Sequence, residues 1–103
     1  MPYFALIYEV VDDFPARRAP FREEHLLYAR EVQSRGELIF GGALTDPADR
    51  AVIIFCAENK TVVEHFAPHD AYVTNGIVKH WAIRLWNVVV GNEVEIPNAQ
   101  KVS

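Results

Sequence analysis

His25 is the residue of this chain whose type and position most directly suggest chemistry. Phe21, Tyr28 and Val32 recur around it at helical spacing, so an ionisable ring lies on a stripe that should face the core. A buried imidazole must find hydrogen-bond partners for both nitrogens or change its protonation. His25 is therefore either a structurally satisfied core histidine or an acid–base group held in a cleft.

Asp70 is the candidate partner of His25, because it lies in a loop after the second predicted helix that can approach the first helix. A carboxylate on one imidazole nitrogen fixes the tautomer and leaves the other nitrogen to move a proton. Alternatively, Asp70 only caps the short turn before Tyr72. Arg22, one turn before His25, could hold a substrate carboxylate as a bidentate fork, or could be solvated or ion-paired.

The remaining candidate ligands argue against a metal site. The other histidines are His65, His69 and His80, and no pair of them has a recognised zinc spacing. The lone Cys56 falls in an apolar run and cannot form an internal disulfide, which fits a reducing cytoplasm. We expect neither a metal nor a cofactor.

Periodicity predicts the element order β-α-β-β-α-β. The predicted strands are Tyr3–Val11, Leu38–Ala43, Ala51–Ala57 and Trp81–Val90, and the predicted helices are Pro20–Gly36 and Asn59 to about Phe66. A loop is predicted at Asp12–Ala19, and a short helical turn or loop at Pro68–Val73. This order indicates an α+β, ferredoxin-like fold with a four-stranded antiparallel sheet and two helices on one face. Residues 1–91 would form a single domain and residues 92–103 a polar C-terminal tail.

Two helices cover only one face of such a sheet, so the other face should be polar if it meets water. Both faces of the first and last predicted strands are apolar instead, with Ala5, Ile7 and Trp86 among the residues on the second face. A second copy packed sheet to sheet would bury that face. We therefore expect a homodimer.

Composition excludes several classes of partner. The net charge is −4 with acidic and basic residues interleaved, so no basic stripe is present to bind nucleic acid or an anionic membrane surface. The longest apolar runs have the length of strands, so no transmembrane segment is expected. The opening Met-Pro-Tyr-Phe lacks the features of a signal peptide. We expect a cytoplasmic protein with a small-molecule ligand.

Several segments, in order, resemble the YciI-like family. Residues 22–28 resemble its R-x-x-H-L-x-Y segment, and residues 41–44 its glycine-containing end of the second strand. Residues 70–72, followed by 75–77, resemble its D-P-[FY] and A-G-[LI] segments, with Ala71 in place of the proline. Leu85-Trp86 is similar to the tryptophan region of its last strand. The resemblance covers residues 1 to about 90.

The resemblance implies a dimeric α+β barrel with a His–Asp pair in a cleft, here His25 and Asp70. Relatives include a dehydrochlorinase of chloroaromatic breakdown, and the wider fold group includes muconolactone isomerases. The leading hypothesis is a small cofactor-free enzyme of lyase or isomerase type that acts on a small, cyclic acid. The rival hypotheses are a non-catalytic module that binds a small metabolite and a purely structural dimer.

Other residues complete the predicted substrate site. Tyr28 and Trp86 could form a flat aromatic wall for a ring-shaped ligand, or both could simply fill the core. Gly42 belongs to a Gly-Gly pair that no lysine or helix follows, so it is not a phosphate loop. That pair predicts a bulge, or a place where backbone approaches a ligand. Tyr72, two residues after Asp70 in the matched segment, is the last of the predicted substrate-binding residues.

Overall fold

A four-stranded antiparallel sheet with helices packed on one face forms the protein. The structure, a computed structural model, describes residues 1–91. The strands are β1 (Tyr3–Val10), β2 (Leu38–Ala43), β3 (Arg50–Cys56) and β4 (Val78–Trp86), in the sheet order β2-β3-β1-β4. The helices are α1 (Phe14–Arg17), α2 (Arg22–Ser34), α3 (Thr61–His69) and α4 (Ala71–Thr74). The predicted α+β fold is confirmed.

The core lies between the sheet and the helices, because side chains of the inner strand β1 alternate between the two faces of the sheet. Phe4, Leu6 and Tyr8 on β1 all point to the helix side and are buried. The register pairs Phe4 with Phe55 and Leu6 with Ile53, so neighbouring strands extend the same apolar layer. On the helix side, the core is completed by the buried residues Val32 of α2 and Val63 and Phe66 of α3.

The opposite face of the sheet, which we call the outer face, is also apolar. Cross-strand pairing places Ile7 beside Val52 and Ala82, and Phe40 beside Ile54, on this face. Phe40 is 64% exposed and Trp86 48% exposed in the single chain. A sheet face of this composition favours burial against another surface. The face-to-face homodimer stays a prediction at this stage.

The first long helix begins and ends within two residues of the predicted limits. Pro20 lies in a 3₁₀ turn, Ala19–Phe21, that leads directly into α2. Proline fits this position because it has no N–H to leave unpaired at a helix start. Beyond the other end, Gly36 has a φ of 79°, which a residue without Cβ adopts at little cost.

Two predicted segments differ from the structure. The segment Asp12–Ala19, predicted as a loop, contains α1, a single turn that buries the Phe14 side chain. The last strand is Val78–Trp86, whereas Trp81–Val90 was predicted. The reason is the partner strand: β1 pairs with β4 from Val10↔Val78 to Tyr3↔Trp86, so no β1 residue is left to pair beyond Trp86. The predicted tail, 92–103, lies outside the described residues.

Phe66 joins the two long helices to the sheet, so its removal should be costly. Its ring stacks on Tyr28 of α2 at 4.7 Å and meets Phe55 of β3 edge-on at 5.2 Å. We expect Phe66→Ala to lower the free energy of unfolding by about 3–5 kcal/mol, measured by urea denaturation. Leu27→Ala is the control, because Leu27 is 61% exposed and should change stability by about 0.5 kcal/mol or less. Similar losses in the two variants would contradict this account of the core.

Candidate functional site

Asp70 is a fully buried carboxylate that receives three hydrogen bonds. The hydroxyl of Tyr8 donates to Oδ2 at 2.7 Å, and His25 Nδ1 lies 2.7 Å from Oδ1. The backbone N–H of Tyr72 also donates to Oδ1, at 3.0 Å. Asp70 is thus both the partner of His25 and the cap of α4, which are the two roles that the sequence left as alternatives. With three donors, the ionised carboxylate can be buried without an unmet hydrogen bond.

Three separate elements bring these groups together. Tyr8 comes from the central strand β1 and His25 from the first turns of α2, while Asp70 lies at the junction of α3 and α4. At that junction the Asp70 backbone is extended, with φ −72° and ψ 131°, as a residue at an N-cap usually is. The helix α3 ends at His69, directly after Pro68, where the extended backbone of Asp70 breaks the helical path. The resulting turn aims the carboxylate beneath α2.

The imidazole of His25 is fixed on one side and open on the other. Its ring stacks on the ring of Tyr72 at 3.8 Å and 9°, and its Nδ1 is held by Asp70. No group within residues 1–91 forms a hydrogen bond with Nε2, although no buried side-chain nitrogen or oxygen there lacks a partner. Nε2 therefore reaches solvent, in agreement with a His25 side chain that is 13% exposed. With Nδ1–H donating to Asp70, Nε2 carries the lone pair.

Tyr8 and Tyr72 act as neutral groups in this cluster. Burial, followed by the neighbouring Asp70 charge, raises the pKa of Tyr8 well above its ordinary value, so the hydroxyl stays a donor. Burial also raises the pKa of Tyr72, against the opposing effect of Arg18 and Arg22. The guanidinium groups therefore lie near the Tyr72 hydroxyl. Tyr8 was missed in the sequence because it fits the apolar alternation of β1, and its phenol was the only signal.

A cavity of about 360 Å³ opens beside His25, between α2 and the strands β2 and β3. It is lined by His25 and by three predicted substrate-binding residues, Arg22, Gly42 and Tyr72. At Gly42 no atom lies within 4 Å of where a Cβ would be, so the backbone borders open space. The bulge considered for the glycines lies instead between Leu38 and Phe40. Gly42 thus has the environment of a residue where backbone could approach a ligand.

The structure does not bring Tyr28 and Trp86 together as the predicted aromatic wall. Neither residue lines the cavity, and the two rings lie on opposite sides of the sheet. The Tyr28 ring stacks on Phe66 and its hydroxyl donates to the Phe66 carbonyl at 3.2 Å. Trp86 pairs with Tyr3 on the outer face. Aromatic spacing alone could not tell a cleft residue from a helix–helix contact or from a residue of the outer face.

Two further arginines, which sequence reasoning did not single out, line the cavity. Arg18 precedes the 3₁₀ turn, with its guanidinium 5.3 Å from the centre of the Phe14 ring, and Arg30 lies on α2. With Arg22 they make three cationic groups around one opening. Their signal in the sequence was only their position, with Arg30 about two turns after Arg22 on α2 and Arg18 just before that helix.

Comparison with known proteins identifies the family. The family model of the YCII-related domain matches residues 1–87. The chain belongs to the YCII-related domain family. The resemblance seen in the sequence is thereby confirmed. A comparison with curated protein sequences gave no significant match.

The fold of this YCII-related domain is similar to that of a solved enzyme. That structure is 5-chloro-2-hydroxyhydroquinone dehydrochlorinase from Burkholderia phenoliruptrix AC1100, in complex with 2,5-dihydroxybenzoquinone. The TM-score is 0.68 at 16% sequence identity, and the match covers 82% of this chain and 92% of the dehydrochlorinase chain. At this identity the likeness establishes the shared fold.

Two other classes of site were considered for this YCII-related domain. Within residues 1–91, no three histidine, cysteine or carboxylate side chains come together as a metal site would require. Over the same residues, every helix is too short or too polar to cross a bilayer.

The Tyr8–Asp70 hydrogen bond gives a stability prediction. Tyr8→Phe removes a donor from a buried carboxylate, so we expect the free energy of unfolding to fall by about 1–3 kcal/mol at neutral pH in urea denaturation. Because the folded pKa of Tyr8 is raised, its contribution is complete below the unfolded value near pH ~10 and declines above it. The gap between wild type and variant should therefore narrow in alkaline solution.

The control for this measurement is Tyr28→Phe. It removes a hydroxyl that donates to a neutral carbonyl at the longer distance of 3.2 Å, and should cost about 0.5–1.5 kcal/mol. Equal losses in the two variants, or a gap for Tyr8→Phe that widens with pH, would contradict the role given to Tyr8.

Proposed function

We propose that this YCII-related domain is a small enzyme of lyase or isomerase type. His25 would act as its general base and general acid, and its substrate would be a small cyclic compound that carries a carboxylate. The observation that carries the proposal is the asymmetry of the imidazole. Its Nδ1 is held by the buried Asp70, while its Nε2 has no partner within residues 1–91 and the residue lines the cavity. A fixed tautomer with one open nitrogen is the arrangement that proton transfer requires.

The proposed reaction begins when Nε2 removes a proton next to a carbonyl of the substrate. In an elimination, the electron pair left behind forms a new double bond and the leaving group departs with its own bonding pair. In an isomerisation, the same imidazolium returns the proton at another atom of the conjugated system. Asp70 orients the ring throughout and stabilises the transient positive charge. All of these steps use side chains of the chain itself.

Arg22 would bind the substrate carboxylate beside His25. It makes no ion pair with any residue of 1–91, so its guanidinium is available for a bidentate contact. Tyr72 lines the same part of the cavity and keeps a protonated hydroxyl close to this arginine. Holding the anion there would set the distance between the acidic proton and Nε2, which is the contribution of positioning to the rate.

The cavity and the solved neighbour support a ring-sized substrate. A volume of about 360 Å³ is at the lower end of the range for small-molecule sites. The dehydrochlorinase acts on a chlorinated hydroxyhydroquinone and was solved with a dihydroxybenzoquinone, both six-membered rings. A related ring compound is the class of substrate that we propose for this chain. A cytoplasmic location, proposed from the lone cysteine, fits such an enzyme.

The rival hypotheses fit the site less well. A purely structural histidine would have both nitrogens bonded to protein and no cavity beside it. A metabolite-binding module would be expected to have a closed, mostly apolar pocket. Here a nitrogen without a partner meets an open cavity that carries several cationic side chains, which favours the enzyme.

A homodimer is part of the proposal. The outer face presents Phe40 and Trp86 to solvent in the single chain, and it runs across all four strands. Two such faces packed against each other would bury both residues and form the dimeric α+β barrel that the family resemblance implies.

The catalytic proposal is tested with His25→Ala. We expect wild type to accelerate the release of chloride from a chlorinated hydroxyhydroquinone that also carries a ring carboxylate for Arg22, and the variant to lose about 10²–10⁴-fold in rate. Circular dichroism would show whether the variant is folded. His65→Ala is the control, because His65 is an exposed histidine of α3 that does not line the cavity. Full activity in folded His25→Ala protein would exclude this mechanism.

The dimer is tested by light scattering at micromolar concentration. We expect twice the chain mass of 11.7 kDa for wild type and a shift toward the monomer for Trp86→Lys, since a charge would be buried in the interface. Leu27→Lys places the same charge on an exposed residue of α2 and should leave the mass unchanged. A monomeric wild type would disprove the proposed assembly.

A further inference from the structure

The cavity beside His25 is cationic in a protein that is acidic as a whole. The chain carries 14 acidic and 10 basic residues, yet three arginines and no carboxylate line this opening. Arg18, Arg22 and Arg30 make no ion pair with any residue of 1–91. Arg35, which directly follows α2, contacts the carboxylates of Glu31 and Glu37. The cations that face the cavity are the ones left for a ligand.

These cations occupy two separate positions along α2. Arg22 and Arg30 are eight residues apart, which corresponds to about 12 Å along the helix axis. Arg18 joins Arg22 at the first position, because both guanidinium groups act on the Tyr72 hydroxyl. At the second position, Gln33 follows Arg30 and also lines the cavity. One position is therefore next to His25, and the other is more than a helical turn farther along the cleft.

The cleft between these two positions is apolar. Leu26 and Ala29 line it from α2, and Ile53 lines it from β3. Apolar surface of this kind accommodates a hydrocarbon ring or chain, while the polar groups at either end fix its orientation. A ligand that satisfies the whole cavity would then have an apolar middle and an anionic group at each end.

We infer that the substrate is a dianion: one anionic group binds Arg18 and Arg22 beside His25, and the second binds Arg30 and Gln33 at the far end of the cleft. This inference rests on the proposed function, in which the cavity is the active site, and it adds a second binding position with its ligand class. Arg30 is a specificity-determining residue in this arrangement. A monoanion would bind only at the first position, and an uncharged ring at neither.

The inference is tested by calorimetric titration with two probes that share a ring, benzoate with one carboxylate and terephthalate with two. We expect wild type to bind terephthalate about tenfold more tightly than benzoate, since one further charge-assisted contact contributes on this scale. Arg30→Gln should abolish the difference and leave benzoate binding unchanged. Arg22→Gln should weaken both acids. Arg17→Gln is the control, because Arg17 is exposed and does not line the cavity.

The difference between the two acids should also shrink as salt is added, because a contact at an exposed guanidinium is screened. Equal affinity for the two acids, no binding of terephthalate at low millimolar concentration, or an unchanged preference in Arg30→Gln would overturn the inference. Failure of the dianion inference is distinguishable from failure of the proposed function, because binding is measured without turnover. Loss of the terephthalate preference in Arg30→Gln would support the second anion position even if His25→Ala kept full activity.

Discussion

The buried carboxylate of Asp70 is the constraint on which the rest of the site depends. An ionised carboxylate without partners in a protein interior costs many kcal/mol, and it is tolerated only when its oxygens are hydrogen-bonded. Here the donors come from a strand, a long helix and the turn that follows the carboxylate itself. Each element must therefore stay in register with the others. Moving β1 by one residue would turn Tyr8 to the outer face and leave Oδ2 without its donor.

The orientation of His25 follows from this constraint. Asp70 holds one nitrogen and the Tyr72 ring covers one face of the imidazole, so both its rotation and its tilt are limited. The same Tyr72 contributes its backbone N–H to the carboxylate. The direction of Nε2 is thus set by groups packed in the core and needs no ligand to define it. A side chain held in this way has little ordering entropy left to lose when a ligand binds beside it.

Local pattern was enough to predict the fold, because alternation and helical spacing each report which face of an element is buried. It was not enough for the ends of the last strand, which depend on where β1 begins. The His25–Asp70 contact spans 45 residues and was predicted from topology together with the family resemblance. Tyr8, whose contact with Asp70 spans 62 residues, could not be predicted, because a tyrosine in a buried strand looks like any other core residue. The position of Trp86 away from the cavity could not be predicted for the related reason that spacing does not tell which face of a strand borders a cleft.

The net charge of this protein and the local charge around its cavity affect the binding of different classes of ligand. A polyanion such as nucleic acid needs a basic stripe along a surface, and the acidic composition argues against one. A small anion responds mainly to charges within about 8 Å, since salt screens those farther away at physiological ionic strength. The charged side chains that line the cavity are guanidinium groups, while the Asp70 carboxylate lies behind His25 and is hydrogen-bonded by its own donors. Other carboxylates form ion pairs elsewhere on the surface. The composition that argues against nucleic acid is thus compatible with a cleft for a small dianion, because the two ligands respond to the charge of the protein over different distances.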